Sequence, residues 1–289
     1  MGINISAIKK NSNSVFELAR RNIKTQYRGS FLGVIWTILN PLLTMLVMWF
    51  VFSSIFGRSV YYPIYLLCGN VLFSALRASS NASLVSIQNN RNLLLRTKIN
   101  SWVFPCSATV ASLINFALSL IALIPFMIWL SISQDFNLFT YRLFFILLML
   151  PAFWMFEYGL NLFLSVLYIF FKDIKNIHTV FILLWQYLTP IFYTVDRFYD
   201  ASGNVKEGAE AILWVIKLNP MFHFTNYLRE CVYMGATGTD PMFPNDIGAV
   251  MSYSPLWKTL GILYLSGIIL LVIGIVAHHI FKNKLILKL

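Results

Sequence analysis

The sequence contains few charged residues for its length. Only 11% of the 289 residues are Asp, Glu, Lys or Arg, whereas 58% are hydrophobic; soluble globular domains have about 25% charged residues. The net charge is nevertheless +11, from 22 basic and 11 acidic residues. A nucleic-acid-binding domain is basic because it is rich in Lys and Arg. This composition therefore excludes a nucleic-acid partner and indicates a membrane protein whose few charges lie in loops.

Several functional motifs are also missing. The three cysteines are widely separated, which excludes a disulfide framework and a CxxC metal site. The first residues, MGINISAIKKNSNS, contain no apolar run and are not predicted to form a cleavable signal peptide. No GxxxxGK[ST] phosphate loop occurs, and no His has a carboxylate at a useful catalytic spacing. We therefore expect no enzymatic activity and no metal site in this chain.

Six segments are apolar and long enough to cross a membrane as helices, which requires roughly 20 residues each. They predict an all-α integral membrane protein with one transmembrane domain over 31–289, after a cytoplasmic segment 1–30. Asn70, Arg77 and Asn81 interrupt the second segment and weaken it. The predicted spans are 31–56, 60–82, 103–131, 142–171, 177–195 and 256–281.

Basic residues concentrate in alternate loops of this six-span arrangement. They are frequent in residues 1–30, after the second and fourth spans, and in the C-terminal tail, where acidic residues are almost absent. The loops on the other side contain most of the acidic residues and are close to neutral. Because loops rich in Lys and Arg stay in the cytoplasm, both termini are predicted to be cytoplasmic.

The segment before the first span predicts an amphipathic helix. Ser14 and Glu17 match a capping box that would open it. The helix would lie against anionic membrane lipids, or it would also contact a cytoplasmic partner. Gly29 and Gly33 form a GxxxG pattern that would allow another helix to pack closely. The basic face is Arg20, Lys24 and Arg28, and the apolar stripe beside it is Phe16, Ala19, Ile23 and Tyr27.

The loop after the second span is a second candidate contact surface. Leu93, Leu94 and Leu95 lie between Arg91 and Arg96 in residues 89–98, which also include Asn90 and Lys98. Three exposed leucines are costly in water unless they meet a membrane or a protein. This segment would thus dock a soluble partner or anchor the loop in the membrane interface.

Two ionisable residues fall within predicted spans. Arg77 and Glu157 are expensive in a membrane, so they would pair with each other or line a polar pathway. Aromatic rings stack on the C–H faces of sugars, so a glycan path would favour them, although packing against lipid is the alternative. The candidate aromatic path residues are Trp36, Trp154, Tyr158, Trp185 and Tyr193.

Residues 196–255 differ from an ordinary loop. The pieces 209–218 and 221–233 are too short to cross a bilayer and too apolar for a free loop. They predict a re-entrant or interfacial helical hairpin near 209–233 on the outer side, with an amphipathic surface loop as the alternative. The candidate residues of this region are Trp214, Asn219, Pro220, Phe222 and Arg229.

Four stretches resemble the permease subunits of type-2 ABC exporters of polysaccharides, such as O-antigen, teichoic-acid and cell-wall glycan permeases. The longest, RRNIKTQYRGSFLGVIWTILNPL, begins just before the first span. The others are FKDIKNI (171–177), LTPIFY (188–193) and LNPMFHFTNYLRECVYMG (218–235). The resemblance covers roughly the whole chain.

This resemblance implies a homodimer in the bacterial inner membrane, with a channel for a lipid-linked glycan between the protomers. Two copies of a cytoplasmic ATP-binding subunit would dock below it and bind ATP and magnesium, so this chain would need no cofactor. Residues 14–28 would be the interface helix, 89–98 the coupling helix and 209–233 the re-entrant pair near the exit. One alternative is an exporter of drugs. Another is a membrane transferase that uses Asp196 and Asp200.

Overall fold

A computed structural model describes residues 5–56, 60–97, 99–134, 137–200, 204–234 and 256–288. These residues form twelve α-helices with short 3₁₀ segments and a π-helical turn at Glu230–Met234, and one isolated β-bridge joins Tyr199 to Val205. The predicted all-α class is confirmed. The helices are α1 (Ile5–Gln26), α2 (Trp36–Phe56), α3 (Tyr62–Leu84), α4 (Ser86–Asn89), α5 (Arg91–Arg96), α6 (Val103–Ser119), α7 (Leu123–Ser133), α8 (Phe145–Phe170), α9 (Ile174–Leu188), α10 (Glu210–Leu218), α11 (Pro220–Arg229) and α12 (Leu256–Lys288).

Four helical segments of the described chain are long and apolar enough to cross a membrane. They coincide with the predicted first, third, fourth and sixth spans. The third is built from α6, a 3₁₀ turn and α7, which follow each other without a break. The four segments are Gly33–Val51, Val103–Ser133, Tyr141–Phe170 and Leu256–Lys282.

The second predicted span is a helix, α3, but it is less apolar than these four. Most of its side chains are buried among the other helices. A helix surrounded by protein does not need the uniformly apolar surface that lipid contact requires. Its lower hydropathy comes from Asn70, Arg77 and Asn81, which are not buried, and from several serines.

The fifth predicted span, 177–195, is helical only as far as Leu188. At 1.5 Å per residue, the 15 residues of α9 extend about 22 Å, less than the roughly 30 Å of a bilayer core. Thr189 is extended because it precedes Pro190, and the proline ring disfavours the helical conformation of the residue before it. The chain continues from there as a non-helical segment.

The N-terminal helix begins earlier than the sequence suggested. Helix α1 starts at Ile5 and runs through Ser14, so the predicted capping box at Ser14 and Glu17 is wrong. No helix of the described chain packs against the predicted GxxxG pattern, since a Cβ on Gly29 or Gly33 would meet no atom within 4 Å. Both glycines have positive φ, 79° and 51°, and they make the turn between α1 and α2 instead.

Two large apolar clusters hold the helices together, and a third, small one lies at α10. The larger one surrounds α3 and includes residues of α6, α8, α9 and α11. The second large cluster joins Val15 of α1, Ile87 of α4 and Leu285 of α12 at one end of the bundle. Both termini of the described chain therefore lie at this end, which we call the basic end; the opposite end, with α10 and α11, we call the hairpin end.

Helices α8 and α12 approach each other closely at three glycines. A Cβ added to Gly159 would lie 2.3 Å from the carbonyl carbon of Leu270, and one on Gly274 would lie 2.3 Å from the carbonyl oxygen of Gly159. Gly267 similarly faces the carbonyl oxygen of Ala152. Small residues that let helix backbones meet are typical of packing between membrane helices.

Candidate functional site

The basic end joins the two predicted contact elements. Arg21 of α1 donates a 2.7 Å hydrogen bond from Nη2 to Oδ1 of Asn90, which lies between α4 and α5. The Asn90 side chain in turn donates from Nδ2 to the carbonyl oxygen of Ser86, at 2.8 Å. Helix α1 also packs along α6 through Val15, Leu18 and Ala19, all of which are buried. The N-terminal helix and the 89–98 loop therefore form one continuous surface.

This surface is basic. Six of its cations are exposed and form no ion pair within the described residues, namely Arg21, whose guanidinium bonds to Asn90, and five others. Glu17, the acidic residue of α1, is also exposed. A partner with acidic residues could thus approach without displacing an internal salt bridge. The five other cations are Arg20, Lys24, Arg28, Arg91 and Arg96.

The predicted patch of three exposed leucines is smaller than expected. Leu93 and Leu94 are half-buried and pack against the apolar cluster of the basic end, so their predicted exposure is wrong. Leu95 is 53% exposed, and Phe16 on α1 is 64% exposed. Leu93 and Leu94 fix the short helix α5 to the bundle, and Leu95 is the leucine of α5 that is left exposed for contact with a partner. Lys98 lies outside the described residues.

Arg77 and Glu157 do not form the ion pair that the sequence left open. Arg77 donates from Nη2 to Oε1 of Gln186 on α9, and its guanidinium lies 5.9 Å from the ring centre of Phe73. Glu157 is fully buried, and its carboxyl group lies beside the hydroxyl of Ser79. It lies inside the protomer rather than on an open surface.

A buried polar network lies one helical turn beyond Glu157. Asn161 of α8 donates from Nδ2 to the hydroxyl of Ser79 at 2.6 Å and to the hydroxyl of Thr109 at 2.8 Å. All three side chains are fully buried. The network therefore fixes α8 to α3 and to α6.

The face of α3 that other helices leave uncovered carries four polar side chains, beside the exposed Ala78 and Ala82. Asn70 and Arg77 are half-buried there, and Ser74 and Asn81 are exposed. Their spacing of three or four residues places them on one side of the helix. Exposed residues of α2 and α12 are mainly large and apolar by contrast, for example Phe50 and Ile268. Because lipid disfavours amides and guanidinium groups, the uncovered face of α3 suits a polar path.

The predicted aromatic residues occupy several different places. Tyr158 is buried and stacks on Trp154 with ring centres 5.2 Å apart, so both pack in the apolar cluster of the basic end. Trp36 is half-buried at the start of α2. Trp185 and Tyr193 lie toward the hairpin end. The structure does not bring these five aromatics together on one surface.

The hairpin end joins two of the stretches singled out in the sequence. Asn219 accepts from the backbone N–H of Met221, at 3.0 Å, and thereby caps α11. The same oxygen accepts from Nε1 of Trp185 at 2.8 Å, and its Nδ2 donates to the hydroxyl of Thr189 at 2.8 Å. Pro220 occupies the first turn of α11, where no backbone donor is required.

Arg229, at the C-terminal end of α11, binds the non-helical segment that follows α9. It is 1% exposed, and its Nη2 donates to the carbonyl oxygen of Pro190 at 2.9 Å. Its guanidinium carbon lies 3.4 Å from the ring centre of Tyr65 on α3. The Tyr62 hydroxyl donates to the carbonyl oxygen of Phe192, and the Tyr65 hydroxyl lies within hydrogen-bond distance of the carbonyl oxygens of Pro190 and Tyr193. The non-helical segment 189–193 is thus held between α3 and α11.

The outer surface of the hairpin is more open. Trp214 on α10 is 67% exposed, and Phe222 is half-buried against a small cluster around Val195 and Leu213. Nearby, Arg142 lies 3.9 Å from Glu230, which is nearly buried. Burial raises the pKa of Glu230 to about 7, and Arg142 opposes this shift only in part.

Sequence reasoning missed Arg21, Thr189, Tyr62 and Tyr65. The Asn-Pro pair before α11 carried a readable signal, since Asn is a preferred cap and Pro is common at the first helical position. Arg21 and the two tyrosines had no such signal, because their partners lie more than 60 residues away in the chain.

Comparison with known proteins identifies the family. The model of the family described as ABC-2 type transporter matches residues 13–233. The chain is 29% identical over 221 residues to the O-antigen export system permease protein RfbA of Myxococcus xanthus, covering 76% of this chain and 80% of that protein. It is 24% identical over 282 residues to the protein of the same name from Klebsiella pneumoniae, covering 96% of both chains. The match extends from α1 to the end of the hairpin, so this chain belongs to the ABC-2 type transporter family.

Proposed function

We propose that this chain is the membrane-spanning permease subunit of an ATP-driven exporter that moves a lipid-linked polysaccharide of the O-antigen type out of the bacterial cytoplasm. The uncovered polar face of α3 carries the proposal. It offers amide, hydroxyl and guanidinium groups, which hydrogen-bond to sugar hydroxyls. The relatives that match most of this chain are named O-antigen export permeases, and this agrees with such a cargo.

The basic end faces the cytoplasm in this proposal, because loops rich in Lys and Arg stay inside. The chain crosses the inner membrane six times, with α3 as the second crossing and α9 with the segment after Pro190 as the fifth. Helices α10 and α11 then form a re-entrant hairpin at the outer face, where Trp214 meets the interface and Asn219, Pro220, Phe222 and Arg229 shape the exit. The common position of Val15 and Leu285 supports two cytoplasmic termini.

An ATP-binding subunit docks on the surface made by α1 and α5. The unpaired cations attract acidic residues of that subunit, while Phe16 and Leu95 supply apolar contacts. The Arg21–Asn90 hydrogen bond makes the two helices respond together to ATP binding. ATP and magnesium bind to the partner subunit, and this chain holds no cofactor.

Two copies of the chain complete the path. Each protomer alone leaves the polar face of α3 uncovered, and lipid contact along it is unfavourable. A second copy places two such faces around one central route, in which Arg77 and Asn81 contact the glycan. Two ATP-binding subunits then serve the homodimer.

Copurification from membranes tests the docking part of this proposal. A tagged chain should retain an ATP-binding subunit, and reversing charge at Arg20, Lys24 and Arg91 should release it. Replacing Lys258, which is exposed near the start of α12, by Glu is the matched control. Failure of the unaltered chain to retain any ATP-binding subunit would overturn the proposal.

The same architecture would serve a teichoic-acid exporter or a drug exporter. The polar face of α3 favours a hydroxylated cargo over an apolar drug. Depleting the cell of polyprenyl-linked glycan separates these alternatives, since it abolishes the exported material only if the cargo is built on that lipid.

A further inference from the structure

A cavity of about 560 Å³ lies at the basic end, between α1, α6 and the connection from α3 to α4. Its volume falls within the range of roughly 300–1,000 Å³ typical of small-molecule sites. Arg21 and Asn90 of the docking surface line it on one side, and Ala78 and Ala82 of α3 line it on another. It is separate from the Asn161 network, whose three residues are not part of its lining.

The lining of this cavity combines small and hydrogen-bonding side chains. Ala78, Ala82, Ala108 and Ala111 leave the space open, because each projects only a methyl group. Around them are Arg21 and a set of carboxamides, and the lining includes no carboxylate. The carboxamides are those of Asn22, Gln26, Asn89, Asn90 and Asn115.

One acceptor in this lining is left without a partner. Asn115 donates from Nδ2 to Oε1 of Gln26 at 3.0 Å, which ties α6 to α1 across the cavity. Its Oδ1 is buried and accepts no hydrogen bond from the described residues. Buried carbonyl oxygens are normally paired, so this oxygen is suited to accept a hydrogen bond from a ligand hydroxyl.

We infer that this cavity binds a phosphorylated, hydroxyl-rich head group, namely the lipid-proximal sugar phosphate of the glycan cargo before export. Carboxamides donate to and accept from hydroxyls, and the single guanidinium of Arg21 supplies a positive charge for a phosphate. This inference rests on the proposed function and names the place where its substrate is first held. A phospholipid with a glycerol head group offers related chemistry, so the test must separate the two sources.

Binding to the full-length protein in lipid nanodiscs provides the test. The probes are a synthetic polyprenyl-diphosphate-linked sugar, polyprenyl phosphate without sugar, and phosphatidylglycerol. We expect the glycosylated probe to bind at least tenfold more tightly than the other two. Equal binding of phosphatidylglycerol would overturn the assignment to the glycan lipid.

Variants locate the site. Asn22→Ala with Gln26→Ala removes the rim donors, and Ala111→Leu fills the space; each should weaken binding of the glycosylated probe at least tenfold. Asn13→Ala on α1 and Ala117→Leu on α6 are controls, because both residues are exposed and lie outside the lining. Unchanged binding by both cavity variants would overturn the inference.

Export measured in parallel separates this inference from the proposed function. Cavity variants that bind and export like the unaltered protein would overturn the site and leave the export function standing. An unaltered protein that exports no glycan lipid with its ATP-binding subunit would overturn the export function itself.

Discussion

Arg21 and Asn90 are joined by a 2.7 Å hydrogen bond although 69 residues separate them. The bond connects the N-terminal helix to the short helix α5 on the surface proposed to receive the ATP-binding subunit. Because α1 packs on α6 and α5 follows α3 and α4, movement of this surface reaches α3 and α6 at once. The bond is therefore the expected point of coupling between ATP binding and export.

Removing this hydrogen bond should uncouple export from ATP binding by the partner subunit. Asn90→Ala is expected to lower export several-fold while the ATP-binding subunit still copurifies, because the outer cations remain; Arg21→Ala should lower it further, because Arg21 also supplies the positive charge of the cavity. If Asn90 acts through the bond, the double variant should be no worse than Arg21→Ala alone. Additive losses in the export assay would show that the residues act separately.

Asn219 should be important for stability. Asn219→Ala removes a helix cap, which costs about 1 kcal/mol. It also leaves the Trp185 indole N–H without its acceptor, at roughly 1–3 kcal/mol more, whereas the Thr189 hydroxyl keeps its hydrogen bond to the carbonyl oxygen of Trp185. The measurement is thermal unfolding in detergent, where a clear fall in melting temperature is expected. Asn100→Ala, at an exposed position, is the control, and an equal effect from both variants would contradict this role.

The glycine contacts between α8 and α12 give a second stability prediction. Gly274→Ala places a methyl group against the Gly159 carbonyl and should destabilise the protein by roughly 1–3 kcal/mol, as overpacking does. Gly261→Ala lies on the same helix with nothing within 4 Å of the added Cβ. It should be neutral or stabilise by up to about 1 kcal/mol through helix propensity. Equal behaviour of the two variants in thermal unfolding would exclude the close crossing.

Glu230 predicts a pH dependence of stability. Its pKa is raised to about 7 in the folded protein by burial, whereas an unfolded Glu titrates near 4.3. A group of this kind favours the folded state at low pH and loses that contribution as the pH rises through about 7. The melting temperature of the unaltered protein should fall between pH 5 and 8 relative to that of Glu230→Gln. A constant difference between the two proteins across this range would contradict the assignment.

Much of the fold followed from the sequence. Long apolar segments predicted four of the spans because lipid contact demands them over their full length. The α3 helix was predicted with less support, and the reason is physical: Asn70, Arg77 and Asn81 looked like interruptions, but their spacing places them on one uncovered face. The mean hydropathy of the segment hides this face, whereas the helical spacing of these three residues indicates it.

Tertiary contacts explain what the sequence could not predict. Leu93 and Leu94 were expected to be exposed, but the neighbouring helices supply apolar surface that buries them in part. Trp185 and Asn219 appeared as separate candidates, and only the return of the chain through the hairpin brings them together. Helix α1 began before its apparent cap, since packing on α6 stabilises the helix independently of local capping signals.

The central claim is tested most directly by export in proteoliposomes that contain this chain and its ATP-binding subunit. The measurement is ATP-dependent movement of a lipid-linked polysaccharide into the lumen. Ser74→Leu with Asn81→Leu on the polar face of α3 should reduce transport at least tenfold, whereas Thr44→Leu, at an exposed position on α2, should leave it unchanged. Absence of ATP-dependent transport by the unaltered protein, or full transport by the α3 variant, would contradict the account.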